Sequence, residues 1–287
     1  MLKLGTRTFG DRDLLVMAII NRTPDSFYDR GATFAEDSAL DAVDRAVAEG
    51  ADIVDIGGVK AGPGDAVGAS EELRRTVPFV AKVRDRHPDV VISVDTWRAE
   101  VGRAVCAEGA DIINDAWEGY DPDLARVAAE YRVGIVCTHA GGQIPRTRPH
   151  RVVYRDVVQD IITTTTGLAQ RAEALGVPRE SIIIDPGHDF GKTTPQTLAA
   201  TAATDQLVAT GWPVLMSLSR KDFIGETLDI PEPKERLTGT LATTAVTAWL
   251  GARIWRVHDV AATRTVLDMV AAIRGDRPPA LAVRGLA

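Results

Sequence analysis

Polar side chains suited to chemistry stand at or just past the ends of short apolar runs all along this chain. They are Asn21, Asp55, Asp95, Asn114 with Asp115, His139, Asp185, Ser219 with Lys221, and His258. Scattered, each would merely cap a turn. Brought to one place, carboxylates, amides and cations make a small-molecule site. The elements that carry them decide which.

The runs are Leu14–Ile20, Asp52–Ile56, Val90–Val94, Asp111–Ile113, Gly134–Cys137, Ile182–Ile184, Pro213–Met216 and Arg253–Val257. They are nearly continuous in apolar residues, as in parallel strands buried on both faces. Between them, Glu36–Glu49, Ser70–Arg86, Arg98–Glu108, Asp121–Tyr131, Arg155–Leu175, Pro195–Thr210, Pro233–Leu250 and Ala261–Arg274 carry apolar residues at helical spacing. Gly50, Gly109, Gly176, Gly211 and Gly251 follow helix ends, where a left-handed residue closes the last turn. Eight strands alternating with helices predict an α/β fold, a single-domain (β/α)8 TIM barrel. In such a barrel the chemistry gathers at the C-terminal mouth of the strands. A doubly wound open sheet would call for a G-x-G-x-x-G turn, and none is present. The barrel is expected over residues 1–274, with 275–287 a loose tail.

Composition narrows the function. With 287 residues and 45% apolar content there is chain enough for one large core. A net charge of -7 argues against nucleic acid. No apolar run approaches a membrane span and no signal core opens the chain, so a cytoplasmic enzyme is expected. Cys106 and Cys137 form no CxxC and read as core residues. His139 reads as a satisfied rim or core histidine, and Trp97, Trp117 and Trp255 as packing. The threonine run 163–166 has no functional reading.

Three segments are specific: Asn21-Arg22-Thr23-Pro24-Asp25-Ser26-Phe27, Asp185-Pro186-Gly187-His188-Asp189-Phe190-Gly191-Lys192, and Ser219-Arg220-Lys221 with Arg256-Val257-His258-Asp259. Together with Ser93-Val94-Asp95-Thr96 and Ile113-Asn114-Asp115, in this order over about Val16 to Ile273, the chain resembles the dihydropteroate synthase family. The resemblance implies a pterin-binding barrel that joins a 6-hydroxymethyl-dihydropterin diphosphate to p-aminobenzoate and releases pyrophosphate. It also implies Mg²⁺ and a homodimer. By the same resemblance Asp95, Asn114, Asp185, Phe190 and Lys221 contact the pterin, with Asp95, Asp185 and Lys221 the catalytic set. Arg256 and His258 hold the diphosphate, and Asn21 meets the metal and the diphosphate. A buried carboxylate can accept two parallel hydrogen bonds from the pterin edge. Cations placed where charge develops would stabilise the leaving group.

One stretch departs. The family reads Asp-(Ile/Val)-Gly-Gly-Glu-Ser-Thr-Arg-Pro-Gly where this chain has Asp55-Ile56-Gly57-Gly58-Val59-Lys60-Ala61-Gly62-Pro63-Gly64. Ala61 replaces the threonine and Gly62 the arginine. Arg22 replaces a valine, His188-Asp189 an apolar residue and glycine, and Asp222 a frequent serine. The segment Pro145–Arg151 is a basic loop, either solvated or receiving an anionic second substrate. Arg22, Thr23, Pro24, Lys60, Pro63 and Asp222 are therefore the possible second-substrate positions, with Arg22 or Lys60 standing in for the lost arginine. The expected function is a divergent paralogue that binds a reduced pterin and performs the condensation with an arylamine weakly, in altered form or not at all. The alternatives are a fully active synthase and a non-catalytic pterin-binding regulator.

Overall fold

The computed structural model describes residues 1–23, 36–60, 62, 64–147 and 152–284. An antiparallel hairpin, β1 (Leu2–Leu4) and β2 (Arg7–Phe9), precedes the barrel. The barrel strands are β3 (Leu15–Asn21), β4 (Ile53–Gly57), β5 (Val91–Asp95), β6 (Ile112–Asp115), β7 (Gly134–Thr138), β8 (Ile182–Asp185), β9 (Leu215–Met216) and β10 (Ile254–Val257). They pair in parallel in the order β8-β7-β6-β5-β4-β3-β10-β9. A parallel bridge from Ile184 to Val214 closes the ring. All eight apolar runs are thus strands, shifted at most two residues from their sequence limits.

The helices are α1 (Glu36–Ala48), α2 (Ala69–Arg86), α3 (Ala99–Ala107), α4 (Leu124–Tyr131), α5 (Val157–Ala174), α6 (Thr194–Ala202), α7 (Thr204–Val208), α8 (Asp222–Leu228), α9 (Leu237–Trp249) and α10 (Val260–Ile273). Two points correct the sequence reading. The segment Pro195–Thr210 is broken at Ala203 into α6 and α7, and α8 was not expected at all. The threonine run in α5 also finds its role, since Thr163, Thr165 and Thr166 return their hydroxyls to carbonyls four residues back. None of the described helices is long and apolar enough to cross a membrane. Past α10, Asp276 pairs with Arg274 at 2.8 Å, and residues 278–284 are exposed without regular structure.

Packing inside the barrel gives it a polarity. Met17, Ile53, Val91, Ile112, Val136, Ile183, Leu215 and Ile254 point inward and pack on Leu2, Leu4 and Phe9 of the hairpin, which plugs the N-terminal end. Successive strand side chains alternate between faces, so the next inward residue on each strand lies two positions on. These are Ile19, Asp55, Ser93, Asn114, Thr138, Asp185, Ser217 and Arg256. One step of the pleat turns an apolar plug into a polar layer. The outward residues of the same strands, among them Val54, Ile56, Ile92, Val94, Ile113, Ile135 and Ile184, form the larger core under the helices.

Candidate active site

Asp55 is the hub of the polar layer. It is fully buried, accepts a hydrogen bond from Ser93 Oγ at 2.6 Å, and receives Asn114 Nδ2 at 3.3 Å on both oxygens. Arg256 Nε reaches it at 2.6 Å, while Arg256 Nη2 lies 3.3 Å from Asp95. Two carboxylates thus share one guanidinium inside the barrel. Burial raises the Asp95 carboxyl to about 7, against the pull of Arg256 and with the help of Asp55. An uncompensated charge here would be costly, which is why two carboxyl groups and a guanidinium occur together.

On the opposite wall, Asp185 receives the Gly187 amide at 2.7 Å and Ser217 Oγ at 2.8 Å. Lys221, at the head of α8, extends to the His188 carbonyl and passes over the Phe190 ring, 5.0 Å from its centroid. Burial lowers its ammonium, and Asp189 and Asp185 oppose that. Phe190 meets Trp117 edge-on at 5.1 Å, and Trp117 meets Trp97 at 6.3 Å. Val59, from the loop after β4, is buried in the same cluster.

The loops after β9 and β10 are braced together. Arg220, left-handed at a φ of 58°, turns away from the mouth and forms two 2.7 Å bonds to Asp259. Its neighbours Ser219 and Lys221 are thereby left facing the cavity. Ser219 Oγ lies 2.9 Å from His258 Nδ1, and burial followed by the Arg256 charge lowers His258 to about 3. His258 is therefore a neutral imidazole near neutral pH.

Between these walls opens a cavity of about 240 Å³ lined by Asn21, Thr23, Lys60, Gly62, Asp95, Lys221, Arg256 and His258, together with Ser217 and Ser219. A Cβ added to Gly57 would have Asn21 Oδ1 as its nearest neighbour, at 3.8 Å. A roomier hollow of about 400 Å³, lined by Arg179, Trp212 and Arg253, lies at the plugged end, away from all these groups.

The structure thus brings Asn21, Asp95, Lys221, Arg256 and His258 onto the lining of this cavity, whereas Asn114, Asp185 and Phe190 stand just behind it, against Asp55, Ser217 and Lys221 respectively, without lining it. It separates the second-substrate positions. Lys60 and Thr23 line the cavity, whereas Arg22 is buried with its guanidinium 4.8 Å over the Phe79 ring, outside the cavity lining. Asp222 faces Arg236 at 2.8 Å and does not line the cavity either. Pro24, Pro63 and residues 148–151 lie outside the described residues. The sequence marks Asp55 at a strand end without assigning it a place in the site. The signal was present: an inward carboxylate in register with Ser93 has to be matched by a cation on another strand. Both cysteines are buried, and burial raises the Cys106 thiol to about 12, so neither is a nucleophile.

A plugged eight-stranded barrel with carboxylates, an amide, a lysine and an aromatic ring at its mouth is the architecture of the pterin binding enzymes, and the pattern of that family matches residues 17–258. The chain belongs to that family and, within it, to the dihydropteroate synthases. It is 58% identical over 287 residues to the inactive dihydropteroate synthase 2 of Mycobacterium tuberculosis, covering 99% of this chain and 90% of that protein. The dihydropteroate synthase of Synechocystis is 38% identical over 271 residues, covering 94% of this chain and 91% of its own length. The dihydropteroate synthase of Yersinia pestis, solved in a sulfonamide drug complex, superposes with a TM-score of 0.90 at 34% identity over 96% of this chain and 99% of that one.

Proposed function

We propose that this chain binds a reduced pterin at the barrel mouth and carries out the standard condensation weakly, in altered form or not at all. One observation carries the reading: Gly62 lines the cavity where the family places an arginine, while Val59 is buried against Trp97 and Trp117. Lys60 lines the cavity beside Gly62 but brings a single ammonium in place of a bidentate guanidinium, and Lys221 is turned to the His188 carbonyl and the Phe190 ring. Arg256 is held by two carboxylates, His258 is neutral, and Arg22 faces Phe79. The name of the Mycobacterium tuberculosis relative supports the same reading.

The pterin half supports binding chemistry. Asp185 would accept from the pterin edge, with Asn114 and Asp95 beside it and Lys221 donating to the ring. In the condensation the methylene–oxygen bond breaks with its electron pair leaving on pyrophosphate. The amine nitrogen of the arylamine then bonds to that carbon and gives up a proton. Mg²⁺ is bound through few protein oxygens and through phosphates. Asn21 lines the cavity with its Oδ1 beside Gly57, so it would be the protein donor to an ion arriving with the diphosphate. Such an ion would offset charge on the leaving group.

A homodimer is part of the proposal. Val246 and Trp249 on α9 and Met269 and Ile273 on α10 are each more than half exposed, on packed neighbouring helices. Such an apolar face suits a second copy of the chain. Sedimentation of Trp249→Glu should then show monomers. A cytoplasmic location goes with the soluble substrates.

Calorimetry with a dihydropterin, pyrophosphate and p-aminobenzoate, separately and combined, tests the reading. Pterin should bind and pyrophosphate should bind weakly, with little turnover of the authentic substrates. Absence of pterin binding would overturn it. Turnover at the rate of an ordinary family member would establish the fully active alternative.

A further inference from the structure

The loop after β8 lies directly on the loop after β7. Gly187, at a φ of +63°, comes so close that a Cβ there would stand 1.9 Å from the His139 carbonyl oxygen. Gly191, at a φ of +59°, approaches the Ala140 carbonyl in the same way, and its own carbonyl accepts from the Tyr154 hydroxyl at 2.9 Å.

Lys192 closes this contact. An ammonium has three donors, and the three nearest acceptors around this one are His139 Nδ1 at 2.7 Å, the Gly187 carbonyl at 2.9 Å and the Phe190 carbonyl at 2.9 Å, with the His139 carbonyl farther off at 3.4 Å. His139 is fully buried and lies 2.8 Å through Nε2 from Asp160, whose side chain is half exposed. A proton on Nε2 bonds Asp160 and leaves Nδ1 as the acceptor that Lys192 needs. A continuous set of bonds therefore runs from the surface of α5 to the loop carrying Gly187 and Phe190, just past Asp185.

We propose that Lys192 is the positioning residue of the pterin face: by tying Gly187 and Phe190 to His139, it fixes the amide that orients Asp185 and the ring that lies under Lys221. Its consequence for binding rests on the pterin reading above; its consequence for the loop does not.

The charges around Lys192 are Lys221 from the β9 loop, Asp185 on β8, Glu118 after β6 and Asp189 on its own loop. Burial, reinforced by Lys221, brings the Lys192 ammonium down to about 7. The neutral amine has two donors for three acceptors, so the loop loses a tie as pH rises through that value.

Hydrogen exchange on the ligand-free full chain tests this. At about pH 6, Lys192→Met should speed exchange at amides 187–191 about tenfold while β3–β5 stay unchanged, and Lys192→Arg should remain within about threefold of the wild type. If Lys192→Met does not fold, the wild type suffices. Its protection at 187–191, corrected for intrinsic rates, should fall between about pH 6 and about pH 8.5 while that of β3–β5 holds. Unchanged exchange in Lys192→Met, or in its absence a flat wild-type profile, overturns the proposal. Dihydropterin affinity should fall about tenfold in Lys192→Met. A wild type that binds no pterin overturns the functional reading alone, and exchange still decides the positioning role.

Discussion

The two sides of the barrel mouth are built differently. On the β5–β8 side the two groups expected to meet the pterin edge are held by partners, Asn114 by Asp55 and Asp185 by Gly187 and Ser217, and the loops by close glycine contacts, although the Thr138 hydroxyl is buried without a partner. On the β3–β4 side the cavity is walled by Thr23, Lys60 and Gly62, and loop two is anchored by an apolar residue, Val59. One side is preorganised for a defined heterocycle. The other keeps Thr23 and Lys60 but lacks the arginine that the family places at Gly62. Recognition and turnover are thereby separable within one mouth, because differential binding of the departing group, not of the pterin, sets the rate.

Four variants would break or sharpen that contrast. The largest effect belongs to the hub. Asp55→Ala strips Arg256 and Asn114 of a common partner, and breaking a buried pair in this way costs about 3–5 kcal/mol. Urea unfolding should show a loss of that size; a change below about 1 kcal/mol would mean that the layer tolerates an open charge. Asp185→Ala should weaken dihydropterin binding about 100-fold in calorimetry, since two charge-assisted bonds are lost. An affinity close to wild type would move the pterin away from β8. Restoring loop two, with Ala61→Thr and Gly62→Arg together, should raise pyrophosphate affinity about 10- to 100-fold while pterin affinity stays unchanged. If both ligands respond equally, the two sides are coupled and the contrast fails.

The last test is a pH dependence. Asp95 holds its proton more firmly folded than unfolded, because burial raises it to about 7 from 3.8. Between those values the native state binds more protons, so stability falls as pH rises. The cost is complete above about 7 and absent below about 4. Asp95→Asn removes it, so the variant should gain in denaturant midpoint relative to wild type at about pH 8, and less at about pH 4.5. An equal difference at both values would mean that Arg256 fully compensates Asp95.

Much of this architecture was legible in the sequence because the barrel strands are buried on both faces. Ile182 to Ile184 and Val90 to Val94 read as strands with no help from their surroundings. The site residues followed from the same runs, since a polar residue ending an inward register must face the mouth. Less was legible where the determining contact is distant. The hairpin strands are three residues each, too short for a period, and they exist because Leu2, Leu4 and Phe9 have the barrel floor to pack on. The helix at Asp222 is fixed by Arg236, which lies beyond its C-terminal end. Arg22 looked like a substitute cation because of its place in the chain. Its stacking on Phe79 depends on how α2 lies behind the strand. Lys192 stood in a motif, but three of its four contacts were carbonyls that no spacing reveals.

The hairpin at the base has a consequence for the far end. The inward side chains from Met17 to Ile254 fill the middle of the barrel, and Leu2, Leu4 and Phe9 cover that layer from below. Without that cover, water would lie one layer of side chains beneath the carboxylates clustered around Arg256. The local medium would become more polar, and the burial that raises Asp95 would be weakened. The acidity of a group at one end of the barrel is therefore governed in part by three oily side chains at the other.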